Sequence, residues 1–325
     1  MSRNDIDRSA ATAATAPALT RRRALACLGW AGTGLIWTFA SGIPQAARLG
    51  TPAAAASLAG GGFSFVQISD THIGFNKKAN PDVIGSLNTA IGEINALERQ
   101  PDFVIHTGDI THLSKPEEFD QAAELLKGLR TGELHTVPGE HDMVDETATA
   151  YRERYGKDAL GDGWYSFDHG GVHFTALINV VDFKPGGLGR LGAAQLDWLK
   201  QDLAGLADDT PIVAFAHMPL WAIYPEWGWG TEDAGVALDL MKRFGSVTVL
   251  NGHIHQVMQK IEGNVAFHTA LSTAFPQPKP GEAAAPGPME VPADQLGHLL
   301  GTRRIEFVPN TGPLAVTDRR LADPA

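Results

Sequence analysis

The stretch "FSFVQISDTHIG", Phe63 to Gly74, decides how this chain is read. It opens with a short apolar run, Phe63 to Ser69, and passes directly into Asp70-Thr71-His72. An apolar run of this length, ended by a polar turn, reads as a buried strand. An aspartate and a histidine just beyond it place two metal-competent side chains in the loop that follows. The same arrangement recurs four times: "HTGDITH" with Gly108 and Asp109, "PGEHDM" with Glu140, His141 and Asp142, "AFAHMP" with His217, and "NGHIHQ" with His253 and His255.

Helical patterns separate the first strands. "PDVIGSLNTAIGEINALER" follows Phe63–Ser69, and "PEEFDQAAELLKGL" follows the strand "DFVIHTG". The third strand is "LHTVPG". Alternation of this kind predicts βαβ units with parallel strands. Further along, "GWYSFDHGGVHFTALINV" predicts a hairpin turning at Gly170-Gly171, and "VMQKIEGNVAFHTAL" one turning at Gly263-Asn264. Between them lie an amphipathic helix, "GAAQLDWLKQDLAGL", and two buried strands, "PIVAFAHMPL" and "SVTVLNGHIHQ". A Pro/Ala/Gly-rich tract over residues 276–301 is expected to be a surface loop, and "RRIEFVP" and "PLAVTD" are late strands. There is no internal repeat. The architecture is an α/β domain with two sheets flanked by helices. Ligands of open α/β sheets bind beyond the carboxyl ends of the strands, so the five loops are expected to converge.

Taken singly, each loop is weak: Asp-x-His is common, Gly-Asp is a turn, and a lone histidine is more often structural. Together they supply Asp70, His72, Asp109, His217, His253 and His255. Carboxylates and imidazoles in this mixture suit Mn, Fe or Zn, and six groups exceed what one ion with an open position requires. Two divalent or trivalent ions are implied. A two-metal site holds its ions ~3.5–4 Å apart and clamps the attacking and leaving oxygens of an in-line displacement. One carboxylate must bridge them, and a bridging water becomes hydroxide at neutral pH.

With these motifs in this order, the chain resembles the calcineurin-like metallophosphoesterase family, and more closely its bacterial phosphodiesterase branch. The resemblance runs from Phe63 to Thr273. It implies a four-layer α/β/β/α sandwich, two mixed sheets flanked by helices, and hydrolysis of a phosphate ester. By matching position it implies a first metal on Asp70, His72 and His255, a second on His217 and His253, and Asp109 between them. His141 then contacts the phosphate and protonates the leaving oxygen, and Asp142 orients His141. Glu140 departs from the pattern, which has a neutral asparagine there. Either Glu140 ligates the second metal, or it turns away and water takes its place, or the site binds without catalysis. A phosphomonoesterase and a non-catalytic periplasmic binding protein remain alternatives to a phosphodiesterase.

Three side chains are candidates for substrate contact. Trp221 and Tyr224, with Trp227 and Trp229, follow His217 in "PLWAIYPEWGWG" and could form an aromatic lid. His112 could line the mouth. Asn179 and Asp182 are weaker candidates for the pocket wall.

The chain's 325 residues carry a formal net charge of −11, with 43% hydrophobic residues. Residues 1–56 hold six arginines and two acids, leaving 20 basic and 35 acidic residues, net −15, in 57–325. No dense basic run follows Arg23, so duplex nucleic acid is not an expected partner. "TRRRALACLGWAGTGLIWTFA", Thr20 to Ala40, reads as a basic region before an apolar run. Its Thr20-Arg21-Arg22-Arg23-Ala24-Leu25 resembles the twin-arginine export motif. Residues 1–56 are therefore expected to be a signal peptide and linker, and 57–325 the catalytic domain. The export machinery is then a transient partner and the address periplasmic or secreted, without stable membrane insertion unless the signal stays uncleaved. The single cysteine, Cys27, falls in the signal, so no disulfide is expected.

Overall fold

The computed structural model describes residues 61–323 apart from 145–147, 157–158, 182–183, 185 and 310–313, with the backbone of two strands nearer the N-terminus. The chain divides into Met1–Ala56 and Ser57–Ala325. In the first unit Leu35–Ala40 pairs antiparallel with Ile43–Arg48. The twin-arginine stretch and the start of the apolar run lie outside the described residues. Among the described residues no helix is long and apolar enough to cross a membrane.

The second unit runs β1 (Phe63–Ile68), α1 (Val83–Asn95), β2 (Phe103–His106), α2 (Pro116–Leu126), β3 (Leu134–Thr136) and α3 (Thr149–Tyr155). It continues with β4 (Tyr165–His169), β5 (Val172–Ala176), α4 (Ala193–Ala204), β6 (Ile212–Ala216), α5 (Ala234–Met241) and β7 (Val247–Asn251). It closes with β8 (Gln259–Glu262), β9 (Val265–Thr269), α6 (Ala293–Leu296), β10 (Gly301–Phe307) and β11 (Ala315–Arg320). One sheet has the order β11-β10-β1-β2-β3 and the other β8-β9-β7-β6-β5-β4. β1, β2 and β3 are mutually parallel, and β10 runs against β1 and β11. In the second sheet β5, β6, β7 and β9 are parallel, and their hairpin partners β4 and β8 are antiparallel. Both sheets are mixed.

The layer order follows from alternation along the strands. Successive side chains point to opposite faces. Phe63 and Phe65 of β1 enter one cluster with Phe103, Phe174, Phe215 and Ile305, while Val66 and Ile68 enter another with Leu87, Ile91, Ile94 and Phe119. Both faces of β1 are buried, so a layer must cover each. The first cluster lies between the sheets, where Phe65 stacks on Phe103 at 5.0 Å and meets Phe174 edge-on at 5.4 Å. The second lies under α1 and α2. Across the molecule Ile212 and Ala214 of β6 join Leu199 and Leu203 of α4 and Ala237 and Met241 of α5. The result is α/β/β/α. Fully buried Arg303 of β10 spans the two sheets: its Nε donates to Asp318 Oδ1 at 2.8 Å and its Nη2 to Thr269 O at the end of β9, also 2.8 Å.

Both hairpins turn where the glycines predict, with φ of 58° and 83° at Gly170 and Gly171. Short α3 and α5 have no counterpart in the sequence reading. The tract over 276–301 is largely an exposed loop, as its composition predicts, interrupted only by the short α6. It is tied to the His253 loop where Gln277 Nε2 donates to His253 O at 2.8 Å, and it closes on itself where Met289 N donates to Pro276 O at 2.9 Å.

The β4–β5 hairpin is tied to α4 through His173. Its Nδ1 lies 2.8 Å from Asp168 Oδ1 and its Nε2 2.9 Å from Asp202 Oδ2, which also accepts at Oδ1 from Ser166 Oγ at 2.6 Å. Burial pushes the His173 pKa down, but the two aspartates outweigh it and raise it above the ordinary value. A raised folded-state pKa stabilises fully below the unfolded value of ~6.5 and fades as pH climbs through the folded one. The thermal stability gap between the protein and His173→Asn is therefore expected to be wide at pH 6 and narrow at pH 9. A gap that is constant or widens with pH would contradict the charged-imidazole assignment.

Candidate metal centre

Asp70, Asp109 and Glu140 follow β1, β2 and β3, and His217, His253 and His255 follow β6 and β7. All are beyond carboxyl ends of parallel strands, where the two sheets meet. The loops are cross-bonded: Asp70 N donates to Gly108 O at 3.0 Å, His72 N to Asp109 O at 2.9 Å, and Gly252 N to His217 O at 3.0 Å. Of the seven non-glycine residues with left-handed backbone among the described residues, five are Asp70, His72, Asp109, His253 and His255. Such conformations cost ~1–3 kcal/mol each and persist only when surroundings enforce them. Glycines permit the crowding. A β-carbon on Gly139 would collide with the Asp109 carboxylate, and one on Gly252 with Asp70 and Ser69.

The side chains gather in two groups. In the first, His255 Nε2 lies 3.2 Å from Asp70 Oδ1 and 3.4 Å from His72 Nε2. In the second, Glu140 Oε2 lies 2.8 Å from His217 Nε2, and Oε1 3.0 Å from His253 Nδ1. Asp109 Oδ2 stands between, 3.5 Å from His72 Nε2 and 3.4 Å from His217 Nε2. Asp70, His72 and His255 form one set of donors close enough to share an ion, and Glu140, His217 and His253 another. Glu140 faces the cluster and does not turn away.

The donors fit cations. Among the described residues, every ion pair drawn by Asp70, Asp109 and Glu140 is with a histidine, none with lysine or arginine. Glu140 Oε2, His217 Nε2 and both ring nitrogens of His253 are buried without a hydrogen-bond partner, although three of them lie within 3.0 Å of an opposing group. Atoms that approach closely without bonding geometry are aimed at a common point. The remaining ring nitrogens are tied back: His217 Nδ1 to Thr107 O at 2.7 Å and His255 Nδ1 to Phe275 O at 2.5 Å. That fixes the tautomer with Nε2 free to ligate. Burial pushes Glu140 up, but His253 and His217 hold its carboxyl well below the usual range. Burial likewise lowers His217, yet Asp109 and Glu140 raise it well above its ordinary value. A cation in the second group would have to displace the His217 proton.

His141 sits beside the shared carboxylate. Its backbone N–H donates to Asp109 Oδ1 at 2.9 Å, and its Nδ1 lies 2.7 Å from His112 O. Asp142 does not hold the His141 ring, contrary to the role expected for it. The turn Glu140–Asp142 sends its carboxylate into the protein, where Oδ2 accepts from Ile110 N at 2.9 Å and Gly139 N at 3.0 Å, and Oδ1 from Thr111 N at 2.8 Å and Thr111 Oγ1 at 2.9 Å. It clamps the Asp109 loop to the Glu140 loop. Burial, then Asp109, push its carboxyl up to about 6.

A cavity of about 90 Å³ opens over the first group, lined by His72, Asp109, His112, Glu140, His141 and His255. Its far wall is Phe275 together with Gln277, Gly287 and Pro288 of the 276–301 loop. His112 lines the mouth as expected. Trp221 and Tyr224 do not line it: Trp221 packs on Phe267 at 5.1 Å and Tyr224 on Trp227 at 5.5 Å. Trp227 and Trp229 pack on Ile254, between His253 and His255, so the aromatic segment supports that loop from behind. Buried Asn179 is also structural, donating to Met218 O and Thr231 Oγ1, both at 2.8 Å. Asp182 lies outside the described residues.

The chain matches the Calcineurin-like phosphoesterase family over residues 63–257. It is 27% identical over 221 residues to the serine/threonine-protein phosphatase CPPED1 of Danio rerio, covering 60% of this chain and 71% of that one. It is 25% identical over 265 residues to a 3',5'-cyclic-nucleotide phosphodiesterase of Nostoc sp., covering 78% and 96%. Its fold superposes on the purple acid phosphatase PPD1 of yellow lupin, Lupinus luteus, with TM-score 0.60 at 15% identity, over 81% of this chain and 52% of that one. The chain thus spans about half the length of the lupin enzyme. The matched span contains all five loops, from Asp70 to His255, and the protein belongs to the calcineurin-like phosphoesterase family.

Proposed function

We propose that this phosphoesterase is an exported phosphodiesterase working with two metal ions. One would be held by Asp70, His72 and His255, the other by Glu140, His217 and His253, with Asp109 placed to reach both groups. The observation that carries the reading is the position of Asp109 Oδ2, 3.5 Å from His72 Nε2 in one group and 3.4 Å from His217 Nε2 in the other. Bound ions of the Mn, Fe or Zn kind supply an activated water and neutralise charge on the reacting phosphate. The residues of the chain do the rest. Asp109 keeps the two groups in register, and its Oδ1 fixes the His141 backbone. His141, with Nδ1 turned to His112 O, offers Nε2 to the leaving oxygen as a general acid. Asp142 keeps the Asp109 and Glu140 loops together. Replacing Asp109 by alanine is expected to abolish hydrolysis of an aryl phosphodiester and to lower metal content by elemental analysis. Undiminished turnover would sink the mechanism.

Two observations favour a diester. The cyclic-nucleotide phosphodiesterase of Nostoc is matched over 96% of its length. Glu140 also brings a third carboxylate beside Asp70 and Asp109. Three carboxylates and a hydroxide would leave two divalent ions with no net positive charge, which disfavours a doubly charged monoester more than a singly charged diester. The zebrafish phosphatase favours the competing phosphomonoesterase reading. Glu140→Asn separates them. At an effective dielectric of about 20, one charge a few ångströms away is worth enough to move relative kcat/KM ~10-fold or more. The variant should gain on monoesters relative to diesters by that order. No change in the ratio would mean that Glu140 does not set it, and metal content without turnover on either class would indicate a binding protein.

The basic-then-apolar N-terminal segment supports export in the folded state. Changing Arg22 and Arg23 to lysine should leave the protein in the cytoplasmic fraction, and unchanged export would remove the twin-arginine route.

A further inference from the structure

We propose that His112 is a positioning residue with two separate tasks: its ring orients His72 and its carbonyl orients His141. The inference rests on the reading of His72 as a metal ligand. An imidazole that binds a metal through one nitrogen needs a partner on the other to fix its tautomer and angle. His217 and His255 have backbone carbonyls for this, Thr107 O and Phe275 O. Among the described residues no backbone carbonyl bonds His72 Nδ1. Its Nε2 faces the first group, 3.4 Å from His255 Nε2 and 3.5 Å from Asp109 Oδ2, so Nδ1 must carry the proton. The atom opposite that proton is His112 Nδ1, at 3.5 Å. His112 then accepts at Nδ1 and keeps its own proton on Nε2.

The seat of His112 suits this work. Its N–H donates to Ile73 O at 2.9 Å, which fixes its height beside His72. Its ring stacks on His141, with centroids 4.9 Å apart and planes 16° from parallel, and meets Phe75 edge-on at 5.2 Å. The ring is thus held on two sides and cannot swing away from His72 without leaving His141. Its carbonyl accepts from His141 Nδ1 at 2.7 Å, which leaves the His141 Nε2 for substrate. One residue, three positions after the shared carboxylate, sets the orientation of a metal ligand and of the acid.

The two tasks separate by mutation, because a side-chain change spares the carbonyl. The amide of asparagine places an acceptor where histidine has Nδ1, and that of glutamine where it has Nε2. Titrating Co²⁺ into metal-free protein, against a chelator and with the visible spectrum as readout, gives affinity without requiring turnover. His112→Leu and His112→Gln are expected to weaken one Co²⁺ site ~10–100-fold, the range for a lost partner of a metal-bound imidazole. His112→Asn should restore it to within about threefold, with the spectrum of the unaltered protein. If His112→Leu fails to fold, the Asn and Gln pair decides alone. Equal affinities in Asn and Gln variants, or an unweakened Leu variant, overturn the proposal while leaving two-metal phosphodiester hydrolysis intact. Absence of Co²⁺ binding to the unaltered protein overturns both.

Discussion

The Asp109 carboxylate is the constraint around which the site is arranged. Its Oδ2 lies 3.5 Å from His72 Nε2 and 3.4 Å from His217 Nε2, and its Oδ1 accepts the His141 backbone N–H at 2.9 Å. A single carboxylate thus meets loops from both sheets, and it does so at 2% exposure. To reach that point the chain leaves β2 through Gly108, at φ 92°, and holds Asp109 itself at φ 54°. Asp142, though it touches no reacting group, holds this exit open by taking the Ile110 and Thr111 backbone protons on one side and that of Gly139 on the other.

The cost of this arrangement explains the shape of the core beneath it. Five left-handed donor residues at ~1–3 kcal/mol each are a cost that the surrounding structure must offset. They persist because each lies within four residues of the end of a strand locked between layers. β1 is buried on both faces by Phe65 toward one side and Ile68 toward the other, and Arg303 ties the sheets together through Asp318 and Thr269. The aromatic segment after His217 contributes in the same way. Trp227 and Trp229 pack against Ile254, which fixes the short peptide from which His253 and His255 point to different groups.

Local signals made the layers and the clustered donor residues legible in the sequence. Apolar runs ending in Asp or His mark strands whose exits share one edge, and topology then forces those exits together. Asp70, His72, Asp109, His217, His253 and His255 were readable for that reason. Three assignments depended on direction in space, which spacing does not encode. Asp142 follows His141 directly, yet the short turn sends the two side chains opposite ways, so adjacency misled. Trp221 and Tyr224 follow His217 directly, but the chain doubles back and buries them against Phe267 and Trp227. The Pro/Ala/Gly-rich tract has the composition of a loop, and its role as cavity wall comes from long-range bonds such as Gln277 to His253 O.

Glu140 shows how far a single side chain shifts the electrostatics of such a site. Asp70 and Asp109 are each bonded into the backbone of a neighbouring loop, through His253 N and His141 N. Among the described residues the Glu140 carboxylate has no such backbone bond and is steadied by His217 and His253. Its burial is tolerable because the two imidazoles beside it outweigh the desolvation and keep it ionised. A neutral amide in the same place would need no such compensation, and His217 would lose one of the charges that raise its proton affinity. The residue therefore ties three quantities together: the proton on His217, the charge presented to an ion in the second group, and the charge left over for a phosphate. Changing any one of them through Glu140 must move the others.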